Sequence, residues 1–355
     1  MYGYPWDSEE LWSRAALRLP RLVSFKTEAA APNQVAGCNM VKRVSKWLLR
    51  QLFANVKIRA FFKQELSKTD PLLSNQQLKF AAPGHYYSPL PDLSVLDSSS
   101  HDLYPPPNET DGISLNSDEQ LRLLGELAPF AAEFDWPSDQ RPERRFWVNN
   151  LFYIGADPAI LFSMIRRFAP RRIVEVGSGF SSALMLDVNE LYYNSSIQLT
   201  FVEPDPNQLI RLLRPEDQRT MNLITSRVQD VSLDIFDSLA ANDILLIDCS
   251  HVAKLGSDVN YLMFSVLPRL RPGVLVHIHD IFYPFEYPPD WFREGRAWNE
   301  LYLLRAFLQY NKAFEIVFFN SYIGYRYPEQ VRREIPLMSV DPGSAIWLCK
   351  SRIRQ

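Results

Sequence analysis

From Arg171 onward, short runs of β-branched and other apolar residues alternate with stretches of helical spacing. RRIVEV precedes SSALMLDVNELYY, IQLTFVE precedes PNQLIRLL, MNLITSRV precedes DIFDSL, DILLID precedes DVNYLMFSVLPRL, and GVLVHIHD precedes the long WNELYLLRAFLQY. Five β-α units in series predict a parallel sheet with helices on both faces, because parallel strands need crossover connections and such a sheet must be covered on both sides. The last two runs, FEIVFFNS and SAIWLCK, have no comparable helix between them, which predicts a terminal antiparallel pair. Upstream, S-D-E-Q before LRLLGELAPF reads as a capping box, Ser117 with Gln120, opening a helix of about four turns. The α/β domain is therefore expected over residues 117–355.

Residues 1–116 read as an N-terminal extension. Val41, Val44, Leu48, Leu49, Leu52 and Phe53 recur at helical spacing among basic residues, predicting a basic amphipathic helix over about 41–66. Such a helix ordinarily packs on its own domain with a solvated basic face; docking on an anionic membrane or a partner is the alternative. From Lys68 to Asn116 the chain is rich in Pro, Ser, Asp and Tyr and lacks period, which predicts an extended wrapping segment. Met40, where the regular patterning begins, is a second candidate for the start of translation.

Composition narrows the class without naming it. The chain has 355 residues, 46% apolar and 22% charged, enough for one large domain plus an extension. A formal charge of −3 gives no bulk attraction to nucleic acid. Cys38, Cys249 and Cys349 lie far apart with no C-x-x-C spacing, so neither a zinc knuckle nor a disulfide framework is expected, and reduced thiols suit the cytoplasm. No run reaches the roughly 18 apolar residues of a membrane span, and the acidic N-terminus does not read as a signal peptide. A homo-oligomer is compatible with this composition, which selects no oligomeric state.

Chemistry concentrates at the expected strand ends. The first strand runs into Glu175-Val176-Gly177-Ser178-Gly179 directly before a helix, a turn that lets a ligand approach the backbone and meet the unpaired N–H groups of a helix N-terminus. About two dozen residues on, the second strand ends in Glu203, placed to accept hydrogen bonds from the two hydroxyls of a ribose. A dinucleotide site would carry a third glycine where this chain has Ser182. Glu175 would repel a pyrophosphate and attract a cation, which points to S-adenosylmethionine with its ammonium and sulfonium. Asp230, after the third strand, lies where an adenine amino group would fall.

EVGSGFSS at 175–182, FVEPDP at 201–206, RVQD at 227–230, DILLIDCSHV at 243–252 and GVLVHIHDIFYPFEYP at 273–288 together resemble the class I S-adenosylmethionine-dependent methyltransferases, within them a bacterial family related to small-molecule O-methyltransferases. The likeness spans about Asn149 to Lys350. It implies a Rossmann-like, seven-stranded, mostly parallel sheet with an antiparallel last strand. It also implies that Glu175, Gly177, Ser178 and Gly179 line the methionine end of the cofactor, with Asp248 beside them, Glu203 the ribose and Asp230 the adenine. NNLFYIGADPA at 149–159 resembles the segment that closes over the methionine moiety.

Asp248 and His251 in IDCSH, and His277, His279 and Asp280 in HIHD, fall on two adjacent strand ends, where open α/β sheets bind ligands. Two readings stay open. In one, Asp248, His279 and Asp280 hold a divalent cation such as Mg²⁺ or Mn²⁺, which acidifies a substrate hydroxyl while His251 removes its proton. This resembles the metal-dependent catechol-type methyltransferases, from which His279 departs by replacing a carboxylate. In the other there is no metal, and His251 or His279 acts as base while the carboxylates orient the acceptor. His277 is expected to be a core histidine satisfied by backbone groups. Tyr283, Phe285, Tyr287 and Trp298, with His85, Tyr86 and Tyr87, are lesser candidates for the substrate cover. The expected function is methyl transfer to an oxygen of a small molecule. Its rivals are a nicotinamide-dependent oxidoreductase and a catalytically silent, cofactor-binding partner subunit.

Overall fold

The computed structural model describes residues 80–81, 83–96 and 110–351. The basic helix expected over 41–66, Met40, Cys38 and much of the wrapping segment lie outside the described residues. The chain divides into two units, Met1–Phe80 and Ala81–Gln355; every element below belongs to the second.

The apolar runs become seven strands: β1 Arg172–Val176, β2 Gln198–Val202, β3 Met221–Ile224, β4 Ile244–Ile247, β5 Leu275–Ile278, β6 Phe314–Phe319 and β7 Ile346–Lys350. They form one sheet in the order β3-β2-β1-β4-β5-β7-β6. β1 to β5 pair in parallel, and β7 runs antiparallel to both β5 and β6. This is the expected Rossmann-like sheet, with β7 inserted between β5 and β6. The order reverses between β1 and β4, so the crevice at their carboxyl ends is the natural ligand site of the sheet. The residues of β4, Ile244, Leu245, Leu246 and Ile247, are buried throughout, as a strand covered on both faces requires.

Helices α1 Ser117–Ala131, α2 Asp157–Phe168, α3 Phe180–Tyr193 and α4 Glu300–Leu308 supply most of the cover. Along α2, nine consecutive residues from Asp157 to Ile165 are buried. Each large apolar side chain so buried contributes roughly 1.5–3 kcal/mol. The helices after β2 and β3 are shorter than their patterns predict, whereas the one after β4 spans its run, Asp258–Arg269, with irregular hydrogen bonding. PNQLIRLL yields one helical turn, Asn207–Ile210, and DIFDSL another, Asp234–Asp237. DVNYLMFSVLPRL passes from α-helix through a π-turn at Leu262–Val266 into a 3-10 turn containing Pro268. Proline has no N–H to continue a helical ladder, so the pattern ends there in irregular turns.

The expected capping box is not formed. Asn116 occupies the cap position in the left-handed region (φ 49°) and makes no side-chain bond to the helix. Ser117 Oγ instead pairs with the Tyr322 hydroxyl at 2.6 Å, and Gln120 Oε1 accepts from the Phe319 N–H at 2.7 Å. Gln120 is fully buried against β6, and an unmet backbone donor there costs more than an uncapped, partly solvated helix end.

Candidate active site

The glycine turn is shaped by β4. Gly177 has φ +85°, and a Cβ on it would stand 1.7 Å from the Asp248 carbonyl oxygen. Only glycine lets the ends of β1 and β4 approach this closely. Asp248 N–H donates to the Val176 carbonyl and Gly177 N–H to the Val202 carbonyl, so one turn ties three strand ends together. Ser178 N–H donates to Glu203 Oε2 at 3.1 Å, and the Gly179 N–H donates to Ser182 Oγ at 3.0 Å. Glu203, expected to face a ribose, thus braces the turn from the end of β2. Asp230 sits apart, held by the Arg227 guanidinium at 2.8 and 3.1 Å on the surface.

Glu175 is fully buried beneath this turn. The hydroxyls of Ser181 and Ser182 on the first turn of α3 donate to its two oxygens. Burial pushes its carboxyl up to about 8, with the Asp248 charge adding to the effect and the serine bonds opposing it. Near neutrality this group therefore carries a proton, to be released only to a cationic partner. The charge on Glu175 expected from sequence thus depends on a ligand, because the side chain is completely desolvated.

At the ends of β4 and β5, two imidazoles flank two carboxylates. His251 presents Nε2 to Asp248 Oδ1 at 3.3 Å and to Asp280 Oδ2 at 3.7 Å, while Nδ1 bonds Glu300 Oε2 at 2.9 Å. His279 presents Nδ1 to Asp248 Oδ1 at 3.5 Å and to Asp280 Oδ1 at 3.6 Å, while Nε2 faces Asp157 Oδ2 at 3.3 Å. Each ring is thus anchored at its outer nitrogen by a buried acid and offers its inner nitrogen to the same pair. The donor atoms of Asp248, His251 and Asp280 all lie within 4.8 Å of one another. Asp248 and Asp280 remain reachable, with side chains 30% and 15% exposed, whereas both imidazoles are buried.

The electrostatics follow from this crowding. Burial opposes a proton on His251, but the hydrogen bonds to Asp248 and Glu300 outweigh it and push the ring up to about 10. His279 is likewise held above its ordinary value, burial being overcome by Asp280 and Asp248. For Asp248, burial is outweighed by His279 and by the His251 hydrogen bond, which keep it ionised. The neutral His251 expected from sequence is therefore replaced by an imidazolium between acids. His277 is the core residue expected, but not one satisfied by backbone: neither ring nitrogen has a partner, and it packs edge-on against Trp347 at 4.6 Å. Burial and the positive His279 lower it to about 3, so it stays neutral, which limits the cost of that isolation.

Backbone conformation supports the same centre. His251 and Asp280 both adopt φ +57°, in the left-handed region that non-glycine residues enter at a cost. The His251 carbonyl accepts from the N–H groups of Asn299 and Glu300, clasping the loop after β4 onto the start of α4. Trp298 lies on the His251 ring at 4.3 Å, with Tyr287 behind it. Phe285 is core, packed on Phe319, and Tyr283 joins Tyr322 and Tyr325. Tyr86 and Tyr87 stay exposed. Sequence reasoning missed Glu300, Asp157 and Tyr153, whose buried ring lies 5.1 Å from His279. Tyr153 and Asp157 lie in the 149–159 segment expected over the methionine moiety, and Glu300 reads as a first-turn acid; none carries a sign of its distant imidazole.

A methyltransferase-domain family matches residues 174–281, the span from β1 through Asp280 and the residue after it. A protein of Archaeoglobus fulgidus without assigned function is 36% identical over 172 residues, covering 46% of this chain and 76% of that protein. The chain belongs to the class I S-adenosylmethionine-dependent methyltransferases. Solved structures similar to this methyltransferase include a form of CmcI with SAH, at 17% identity over 62% of this chain and 90% of that one, TM-score 0.35. The O-methyltransferase TomG of Streptomyces achromogenes in complex with SAM is 14% identical over 66% and 91%, TM-score 0.36. SAH-bound PaMTH1 of Podospora anserina is 12% identical over 64% and 88%, TM-score 0.37.

Proposed function

We propose that this methyltransferase moves the methyl group of S-adenosylmethionine to an oxygen of a small molecule, in the cytoplasm, with a divalent cation at Asp248 and Asp280. The observation that carries the reading is the convergence of Asp248, His251 and Asp280 within 4.8 Å beside the glycine turn. Two carboxylates and an imidazole are a donor set that suits Mg²⁺, Mn²⁺ or a transition metal. Such an ion, when bound, would lower the pKa of an acceptor hydroxyl.

The chain's own residues do the rest by positioning and proton transfer. Glu175, once ionised, holds an ammonium under the turn; Ser178 and Gly179 hold the backbone around it, and Glu203 faces the ribose, while Asp230 would have to leave Arg227 to meet the adenine. A cation bound between Asp248 and Asp280 would offset the charge that keeps both rings protonated; of the two imidazoles, then neutral, one serves as third donor and the other takes the acceptor proton. The tighter donor group assigns His251 to the ion and leaves His279, whose Nδ1 faces Asp248 and Asp280 at 3.5 and 3.6 Å, to the proton. The reverse assignment is favoured by Glu300, which holds His251 Nδ1 as an orienting carboxylate holds a general base, and by Trp298 lying on that ring.

Calorimetric titration with S-adenosylhomocysteine, with and without Mn²⁺, tests both layers. Micromolar binding lost in Glu203→Ala establishes the cofactor; no binding to the wild type under any metal condition sinks the proposal. Comparing Mn²⁺ affinity in His251→Asn and His279→Asn then assigns the third donor to the imidazole whose loss weakens the ion.

A further inference from the structure

The two acids that anchor the imidazoles come from outside the matched family segment of 174–281, and one of them opens a wider arrangement. Asp157, at the first position of α2, is buried. Besides His279 Nε2, its oxygens accept from Asn320 Nδ2 at 2.7 Å and from the Ser344 N–H at 2.9 Å. Ser344 Oγ lies 3.4 Å from Asp157 Oδ2 and 3.1 Å from Asp280 Oδ1. One hydroxyl thus spans the carboxylate behind His279 and the carboxylate in front of it. Two further contacts bring the segment before β7 against α2. Gly343 has φ +83°, and a Cβ there would come within 2.3 Å of Asp157 Oδ1. The Ala156 N–H donates to the Asp341 carbonyl at 3.0 Å.

From this placement we infer that Asp157 and Ser344 are positioning residues for the β5 half of the ion site. Asp157 fixes the tautomer and orientation of His279 so that Nδ1 faces Asp248 and Asp280. Ser344 fixes the rotamer of Asp280, whose strained backbone otherwise leaves its carboxylate free to turn to solvent. Outer carboxylates of this kind raise the basicity of an inner imidazole nitrogen, and their loss weakens a bound metal about 10- to 100-fold. The inference rests on the proposed ion site with His279 as its third donor, the arrangement that Glu300 on His251 favours. It adds that the site is assembled from both flanks of the matched segment, with α2 from before β1 and the loop before β7 from the far end of the chain.

The test uses the full-length protein, Mn²⁺ as probe, and the ¹⁵N resonances of His279 in chelator-treated protein. Wild type is expected to show a protonated Nε2, shifted in Asp157→Asn, and Asp157→Asn is expected to lose 10- to 100-fold in Mn²⁺ affinity. Should Asp157→Asn fail to fold, Ser344→Ala and Ser344→Thr carry the test. Ser344→Ala is expected to weaken Mn²⁺ about tenfold, and Ser344→Thr, which keeps the hydroxyl, to restore it, a rescue that mere stability does not predict. Unchanged Mn²⁺ affinity in Asp157→Asn or Ser344→Ala, or a His279 resonance indifferent to Asp157, overturns the inference. A wild type that binds no Mn²⁺ while the His279 resonance still answers to Asp157 overturns the ion site and leaves the positioning of His279 standing.

Discussion

Glu175→Gln separates the two demands placed on the buried acid under the glycine turn. In the native fold its carboxyl is pushed up to about 8, chiefly by burial, against an ordinary value of 4.5. The folded state therefore holds the proton more tightly than the unfolded chain does. That stabilisation is complete below pH 4.5 and is lost as pH rises through about 8. The shift corresponds to a ceiling of roughly 5 kcal/mol, and relaxation around Ser181 and Ser182 brings the expected loss to about 2–5 kcal/mol. Glutamine cannot ionise, so urea unfolding of wild type and variant at pH 5, 7 and 9 should show the variant gaining on the wild type by that amount between pH 5 and 9. Other titrating groups, His251 among them, cancel in the difference. The same proton should appear in ligand binding. If the ligand ammonium takes Glu175 as its partner, calorimetry of S-adenosylhomocysteine in buffers of different ionisation enthalpy should register release of up to one proton near pH 7. Glu175→Gln should bind more weakly and release none. A stability difference that does not change with pH would refute the account of a desolvated acid, and proton release that persists in the variant would refute its role at the ammonium.

Gly177→Ala should destabilise the fold on the order of 3 kcal/mol or more and abolish S-adenosylhomocysteine binding, because its Cβ would stand 1.7 Å from the Asp248 carbonyl in a left-handed conformation; thermal unfolding and calorimetry check both. Arg145 is buried with Asp187 and Asp217, which it bonds through its guanidinium along with Glu190. Arg145→Ala should cost about 3–5 kcal/mol in denaturant unfolding by leaving two buried acids unpaired, and a loss under 1 kcal/mol would show that they find other partners. Glu300→Gln should lower kcat by about 10- to 100-fold, since Nδ1 of His251 loses its charged partner, with S-adenosylhomocysteine affinity changed less than twofold. An unchanged kcat would remove His251 from the proton path and leave His279 in that role.

The parts legible in the sequence were those written in local chemistry. β-Branched and apolar runs marked all seven strands, and the weak helical pattern before SAIWLCK pointed to the antiparallel end, although two seven-residue helices, Asn320–Arg326 and Pro328–Glu334, form there. Gly177, Ser178 and Gly179 after a strand with Glu203 at the next strand end, and Asp248, His251, His279 and Asp280 on two adjacent strand ends, were legible as neighbours, and the structure brings each group together. The helices after β2 and β3 fall short of apolar patterns that look helical, while the run through Pro268 keeps its length but not its regular α-helical bonding. Ser117 and Gln120 matched a capping signal, yet the buried end of β6 and the Tyr322 hydroxyl claimed their side chains.

What this sequence determined alone is the order and kind of its elements and the residue types at each strand end, because backbone propensity, turn geometry and side-chain alternation act over a few residues. Only the tertiary structure decided which acid serves which imidazole. Glu300 reaches His251 across 49 positions, and Ser344 reaches Asp157 across 187. It also decided that Glu175 is dry enough to hold a proton and that His277 has no partner. Those outcomes depend on sheet register, on the insertion of β7 between β5 and β6, and on complete removal of water. Each of these is a property of segments that meet only when the chain has closed on itself.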